Sequence, residues 1–270
     1  MASITLTKHH GLGNDFLIAV EPTADLTAED AIRWCDRRTG IGADGLIAAV
    51  PAGEDPSAWT MTLWNADGSR AELSGNGLRC LGQALLLIRD DGEASKRFTI
   101  HTDAGPRPVE VTPDRASDTY QVTVGMGTPA DGPAVFDGWA DLGVEVIEQR
   151  GVDVGNPHLV ALVGRTDAID LGAVGPAVEA SYGDGINVEV IEIVDRSTIN
   201  LRVWERGAGL TEACGTGACA AAFAANRWGR VDDRITVDMP GGSADVELAD
   251  GTLSLTGPAT FVAVVEVERS

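Results

Sequence analysis

Trp204-Glu205-Arg206-Gly207-Ala208-Gly209-Leu210-Thr211-Glu212-Ala213-Cys214-Gly215-Thr216-Gly217 sets a tryptophan ten residues ahead of a small nucleophilic side chain, followed by Gly-x-Gly and an apolar run. The same frame stands 140 positions earlier in Trp64-Asn65-Ala66-Asp67-Gly68-Ser69-Arg70-Ala71-Glu72-Leu73-Ser74-Gly75-Asn76-Gly77, with Ser74 in the place of Cys214. Three more echoes keep the order. Ile41-Gly42-Ala43-Asp44-Gly45-Leu46-Ile47 is matched by Tyr182-Gly183-Asp184-Gly185-Ile186-Asn187-Val188. Gly13-Asn14-Asp15-Phe16 is matched by Gly155-Asn156-Pro157-His158, and Arg97-Phe98-Thr99-Ile100 by Arg234-Ile235-Thr236-Val237. Echoes in one order at nearly one offset read as duplication and divergence. A duplicated frame around a reactive position suggests one site built from two halves.

Each half repeats one plan. Strand-like alternation marks Ile4–Leu6, Leu17–Val20, Thr60–Trp64 and Thr119–Val124, then Leu159–Val163, Val188–Val194, Thr198–Trp204 and Thr252–Leu255. Each Gly-x-Gly leads into a helical run, Leu78–Ile88 and Ala218–Trp228, apolar nearly all round as a helix enclosed by sheet must be. An amphipathic helix is expected over Ala28–Arg37, with Thr27 as its N-cap. The expected fold class is α+β: two pseudo-symmetric domains from an internal duplication, each a mostly antiparallel sheet wrapped around a central helix. The boundary is expected in the Gly/Pro-rich stretch 125–138, giving halves 1–124 and 125–259. The strand-like run Thr260–Val267 has no place in the second half's order and is expected to complete the first, as a strand within 260–270.

The chain has 270 residues, 44% of them hydrophobic, enough for a packed core. A net charge of −21 disfavours nucleic acid and anionic membranes as partners. The first residues lack an apolar leader pattern, and no run is long enough to span a bilayer. Cys35, Cys80, Cys214 and Cys219 have neither CxxC nor Cys/His ligand spacing, so neither a disulfide framework nor a metal site is expected. A cytoplasmic location follows as the expectation.

A residue just before Gly-x-Gly and a helix sits at a helix N-terminus, where unpaired N–H groups and the dipole favour an anion. A thiol's reference pKa of about 8.5 can fall to roughly 3.5–7.5 there, so Cys214 reads as an activated acid/base thiol. Taken alone it would be a small residue packing a helix start; the duplicated frame reverses that preference. Cys80 and Cys219 lie within apolar helices and read as core. Asn14, Asn65, Asn156 and Asn187 adjoin turn segments, where asparagine ordinarily closes a turn. His158 reads as ordering a loop, and Glu205-Arg206 as a surface ion pair at a strand end. Together these groups would suit a small zwitterion. Gly215-x-Gly217-x-x-Ala220 with Asp238 loosely matches a dinucleotide fingerprint, but the glycine-rich, polar segment 207–213 is no buried strand running into the first glycine.

The set His10-Gly11-Leu12-Gly13-Asn14-Asp15-Phe16, Gly40-Ile41-Gly42-Ala43-Asp44-Gly45, Asn65-Ala66-Asp67-Gly68-Ser69, Gly155-Asn156-Pro157-His158 and Glu205-Arg206-Gly207 through Cys214-Gly215-Thr216-Gly217 resembles diaminopimelate epimerase over most of the chain. The resemblance implies two similar domains with the active site in the cleft between them, a homodimer, and cofactor-independent interconversion of LL- and meso-diaminopimelate. It implies two cysteines as the acid and base, one matched by Cys214. It implies substrate binding by Asn14, Asn65, Asn156, Asn187, Glu205 and Arg206, the last two gripping the distal amino and carboxylate groups. The N–H groups of Gly75, Asn76, Gly215 and Thr216 would hold the reacting carboxylate. Independently, no cofactor is expected: a pyridoxal enzyme needs a Schiff-base lysine, and neither Lys8 nor Lys96 lies in these motifs.

The departure is Ser74, where the family pattern places its other catalytic cysteine. Cys80, six residues on, is too deep in the helix to substitute. A hydroxyl is a far weaker acid than a thiol, yet Ser74 could still donate a proton to a carbanion or relay one from water. Three origins are open: an engineered exchange that traps substrate, a natural serine in a lineage with one-sided chemistry, or a shift to the hydroxyproline epimerase or dehydratase reactions of proline racemase relatives. A non-catalytic amino-acid-binding homologue is the non-enzyme alternative.

Overall fold

The computed structural model describes residues 3–89, 95–113 and 119–268. The chain divides into two compact units, Met1–Gly125 with Thr256–Ser270, and Met126–Leu255.

In the first unit the elements run β1 (Ser3–Gly11), β2 (Asn14–Val20), α1 (Ala28–Cys35), β3 (Gly45–Pro51), β4 (Ala58–Asn65), α2 (Gly75–Arg89), β5 (Lys96–Thr102), β6 (Gly105–Pro113) and β7 (Thr119–Gly127). In the second they run β8 (Ala130–Asp131), β9 (Glu148–Asp153), β10 (Pro157–Leu162), α3 (Leu171–Glu179), β11 (Asn187–Ile193), β12 (Thr198–Glu205), β13 (Gly209–Thr211), α4 (Gly215–Arg227), β14 (Arg234–Met239) and β15 (Gly242–Ala249). The last strand, β16 (Thr252–Glu268), starts in the second unit and ends in the first, where Ser3 pairs with Glu268 and Leu6 with Val265. Positions 269 and 270 of the expected closing strand lie outside the described residues.

The pairing order repeats. In the first unit β1 and β2 form an antiparallel pair, β2 runs parallel to β3 across α1, β3 is antiparallel to β4, and β4 runs parallel to β5 across α2. In the second β9 and β10, β10 and β11 across α3, β11 and β12, and β12 and β14 across α4 repeat the same senses. In the first unit β16 lies beside both β7 and β1, so the strands close on themselves.

Burial follows from the parallel pairs, which need cover on both faces. Leu17 and Ala19 of β2 join Ala31, Trp34 and Cys35 of α1 and the frame's leading Trp64 in one cluster. The alternate residues of those strands face α2, with Leu78, Leu81 and Leu85 fully buried. In the second unit Leu159, Ala161, Val188 and Val190 pack with Val174 and Val178 of α3, against which Trp204 is laid. The repeated plan thus gives the leading tryptophan a packing role in both units.

The α1 capping box is present: Thr27 Oγ1 accepts from Asp30 N and an Asp30 carboxylate oxygen accepts from Thr27 N at 2.9 Å. The helix stops at Cys35, two residues earlier than its periodicity predicts, because the Asp36 carboxylate accepts from Arg38 N and Thr39 N and forms a turn instead. Helix α3 carries Pro176 inside it, which hid it from a pattern reading. Its Gly175 is required for contact, since a Cβ there would lie 2.4 Å from Trp204 Cγ. Helix α2 is less apolar than expected, as Arg79 and Gln83 are fully buried along it.

The fit of α2 in its sheet is tight at Gly82, where a Cβ would lie 2.9 Å from both Val109 Cγ1 and Val111 Cγ2 of β6. Gly82→Leu is therefore expected to cost about 1–3 kcal/mol of unfolding free energy by overpacking, read as a lower urea midpoint. An unchanged midpoint would mean that α2 has room against β6.

Candidate active site

In the second unit Cys214 is the N-cap of α4, in extended backbone (φ −126°, ψ 118°), and its Sγ accepts from Gly217 N at 3.2 Å. Thr216 Oγ1 lies 3.4 Å from the same sulfur. In the first unit Ser74 Oγ accepts from Gly77 N at 3.0 Å. The two frames thus build one device twice. A side chain caps the third N–H of a helix whose first two N–H groups, Gly215 and Thr216 or Gly75 and Asn76, lie ahead of its internal ladder. Neither helix places an acidic residue in its first turn. An external carboxylate is the natural complement of such an end. The glycine three residues after each nucleophile has a steric reason: a Cβ at Gly77 would lie 3.1 Å from Ser74 Cβ, and at Gly217 2.8 Å from Glu189 Oε1.

The surroundings of Cys214 overturn one expectation. The N-cap position predicts a depressed thiol pKa, but it is raised well above 9.0. Burial is the largest cause, followed by the negative charges of Glu205 and Glu189; the Thr216 and Gly217 hydrogen bonds oppose them without prevailing. The resting residue is therefore a neutral thiol. Glu205, at the end of β12, is correspondingly raised, first by burial, although hydrogen bonds from Thr211 and Cys214 favour its charged form. The β12–β13 hairpin makes this arrangement, setting Val203 opposite Thr211 so that the Thr211 hydroxyl donates to the Glu205 carboxylate. Glu205 is thus a buried partner of the thiol, which departs from the surface ion pair expected for it. The same hairpin stands where a dinucleotide-binding turn needs a strand running straight into the helix.

Below the thiol, β10 and β11 contribute a fully buried pair. His158 Nδ1 lies 2.6 Å from Glu189 Oε1, and His158 Nε2 lies 2.9 Å from Asn156 Oδ1. Asn156 Nδ2 reaches Thr216 Oγ1 at 3.5 Å, joining this pair to the α4 turn. His158 therefore sits on a strand within the site and does not merely order a loop. Asn187 holds the neighbouring loop: its Nδ2 donates to Pro157 O at 2.9 Å and its Oδ1 accepts from Arg206 N at 2.9 Å. The Arg206 guanidinium is exposed beside Asp184 O.

In the first unit Asn76, Asn14 and Ser74 come together around the start of α2. Asn76 Nδ2 donates to Asn14 Oδ1 at 3.1 Å, and Asn14 Nδ2 to Asp44 Oδ2 at 2.7 Å. Asn65 stands in the exposed Asn65–Ser69 turn, its Nδ2 donating to Ser69 Oγ at 3.0 Å, which is the ordinary turn role of asparagine. Cys80 is core as expected: burial pushes its thiol up to about 12. Sequence reasoning missed Glu189, Thr211, Asp44 and Arg79 as parts of these networks. The signal for Glu189 was present, since it shares a strand face with Asn187 by the two-residue period.

A family model described as "Diaminopimelate epimerase" matches residues 6–130 and 151–262. Diaminopimelate epimerase 1 of a Nostoc strain is 40% identical over 280 aligned residues, covering 96% of this chain and 98% of that protein. Among solved structures, one described as a predicted epimerase from Pseudomonas aeruginosa superposes with a TM-score of 0.80 at 17% identity, over 99% of this chain and 100% of that one. A hydroxyproline epimerase from Agrobacterium vitis gives 0.71 at 17% identity, over 98% of this chain and 92% of that one. At that identity the two structures speak for the fold.

Peptide-resolved alkylation tests the thiol's state. The iodoacetamide rate at Cys214 is expected to reach half its maximum only above pH 9, following its raised pKa. An inflection near neutrality would contradict the burial argument.

Proposed function

The chain belongs to the diaminopimelate epimerase family, and from that premise we propose that it interconverts LL- and meso-diaminopimelate by proton transfer at the α-carbon, with no bound cofactor. The observation that carries this reading is the repeated cap, Cys214 Sγ on Gly217 N in one unit and Ser74 Oγ on Gly77 N in the other. Inverting a stereocentre requires one group to remove the α-proton and another to return a proton to the opposite face. Each unit supplies one candidate for that pair.

The path of the proton follows from the residues. Glu205, held by Thr211, takes the Cys214 thiol proton, so that S–H breaks and O–H forms; its raised pKa suits it to keep that proton. The thiolate removes the α-hydrogen: C–H breaks, S–H re-forms, and the electron pair spreads into the substrate carboxylate. First-turn N–H groups such as those of Gly215, Thr216, Gly75 and Asn76 suit that carboxylate as its charge grows. Ser74 O–H then donates to carbon. A solvent proton re-forms its O–H and Glu205 releases its proton to solvent, so both groups return to their starting states and the protons balance. The amides of Asn14, Asn65, Asn156 and Asn187 and the exposed Arg206 guanidinium are the substrate-binding groups of this proposal. The Lys8 ammonium, bonded to Gly42 O at 2.6 Å and paired with Asp15 at 2.9 Å, is committed to structure, which agrees with cofactor-free chemistry.

Conversion of LL- to meso-diaminopimelate, followed by chiral chromatography, tests the assignment. Cys214→Ala is expected to fall to background, and Ser74→Cys to rise by roughly 10²–10⁴-fold over the parent, the span of a well-placed acid or base. Failure of both the parent and Ser74→Cys to convert substrate, with Cys214 reduced, would overturn the reading. Saturable binding without conversion would then point to an amino-acid-binding protein.

A further inference from the structure

Arg79 is the largest completely buried side chain among the described residues, and it lies on a helix whose other buried residues include Leu78, Leu81, Ala84 and Leu85. Its Nη1 donates to Pro258 O on β16 at 2.8 Å, and its Nη2 donates to Asn76 Oδ1 at 2.6 Å. Space for the guanidinium comes from Gly11 at the end of β1, where a Cβ would lie 3.1 Å from Nη2. The chain of bonds continues in one direction, from Asn76 Nδ2 to Asn14 Oδ1 at 3.1 Å and from Asn14 Nδ2 to Asp44 Oδ2 at 2.7 Å. The Asp44 carboxylate is itself fixed, accepting from Asp15 N at 3.0 Å on one oxygen and from Arg37 Nη2 at 2.7 Å on the other. Arg37 also bonds Asp15 at 2.6 Å, and the Asp15 backbone oxygen accepts from Asp44 N, so the acidic end is tied to β2 and the β3 turn together.

The two ends of this chain have opposite and fixed hydrogen-bond characters. A guanidinium has five donors and no acceptor, and a carboxylate has acceptors only. A primary amide can turn over at little cost in most settings, exchanging its C=O and NH2 ends. Between a donor-only terminus and an acceptor-only terminus it cannot: a flip of Asn76 would set NH2 against the guanidinium and C=O against Asn14 Oδ1. A flip of Asn14 would oppose two oxygens at Asp44 and two NH2 groups at Asn76. Each misorientation leaves polar groups unpaired in a largely buried place, where the cost is high.

Resting on the proposed epimerase reading for what the amides bind, we propose that Arg79 and Asp44 are positioning residues which pin the amides of Asn76 and Asn14 in one orientation. The NH2 of Asn14, with one hydrogen given to Asp44, then presents its other hydrogen in a fixed direction to an anionic substrate group. This gives a purpose to the Asp44 carboxylate and to a buried arginine in a helix core.

The test uses the full-length protein and two readouts. Slow solvent exchange of the Asn14 and Asn76 side-chain NH2 protons, seen by NMR without substrate, reports the pinning. The KM and kcat for LL-diaminopimelate report its use. Asp44→Asn, a change of nearly equal shape at a half-exposed residue, removes the acceptor-only end. It is expected to speed NH2 exchange and raise KM about tenfold or more, with kcat changed by less than about threefold and thermal midpoint held. Arg79→Met is expected to do the same from the other end, with some loss of stability. Asp44→Asn with slow exchange and parental KM would overturn the proposal, as would fast exchange without a KM change. If the parent neither binds nor converts diaminopimelate, the functional reading fails. Slow NH2 exchange in the parent that Asp44→Asn abolishes would then still support the pinning, and its absence would refute it.

Discussion

The first turn of a helix carries N–H groups that the helix's own internal ladder does not satisfy, and this one constraint organises both units. In each, a chain leaving a strand must supply a cap, and the residue that does so is the candidate acid/base: Ser74 for α2, Cys214 for α4. Capping by the side chain draws it over the helix end, and the glycine three residues on makes room for it. The first two N–H groups of the turn are suited to a carboxylate. Structure and chemistry therefore share the same atoms.

The two caps differ in their setting more than in their geometry. Around Ser74 the supporting groups are amides ordered from Arg79, and Ile47 lies beneath the glycine of the turn. Around Cys214 the corresponding ground is ionisable, with Glu189, His158 and Glu205 close by. Helix dipole and burial act on the thiol in opposite senses, and burial with two carboxylates wins. A neutral thiol beside a carboxylate that can take its proton is a store of one movable proton. In the serine half the amides are well ordered, and the hydroxyl is a poor acid.

The duplication, several strands of each unit, the apolar helix of each and the capping positions were legible because they rest on local patterns: period-two alternation, Gly-x-Gly before an apolar run, and Thr27 with Asp30 three residues on. Helix α3 was not, because Pro176 and Gly175 are poor helix formers whose presence is explained only by the Trp204 ring lying against them. The short β13 hides among glycines for a similar reason, its place fixed by pairing with β12. The position of Cys214 could be read from sequence, but its pKa could not. Depth of burial raises it most, and the charges of Glu205 and Glu189 reach it only through the packing of neighbouring strands. Asp44 and Arg79 illustrate the same limit. Their meaning lies in a hydrogen-bond chain joining the turn before β3, β2, α2 and β16, and no local window contains it.

Cys214 is the candidate acid/base that both the duplicated frame and its ionisable surroundings single out. Solvent-hydrogen exchange at the substrate α-carbon tests this most directly, with each epimer incubated separately in D2O and deuterium followed by NMR before appreciable inversion. A thiolate can remove, exchange and return a proton at its own face without help from Ser74, so one epimer should incorporate deuterium faster than it inverts. The other, which needs the serine oxygen as base, should lag, and Cys214→Ala should lose both. Equal exchange of the two epimers, or exchange that survives Cys214→Ala, would contradict that role.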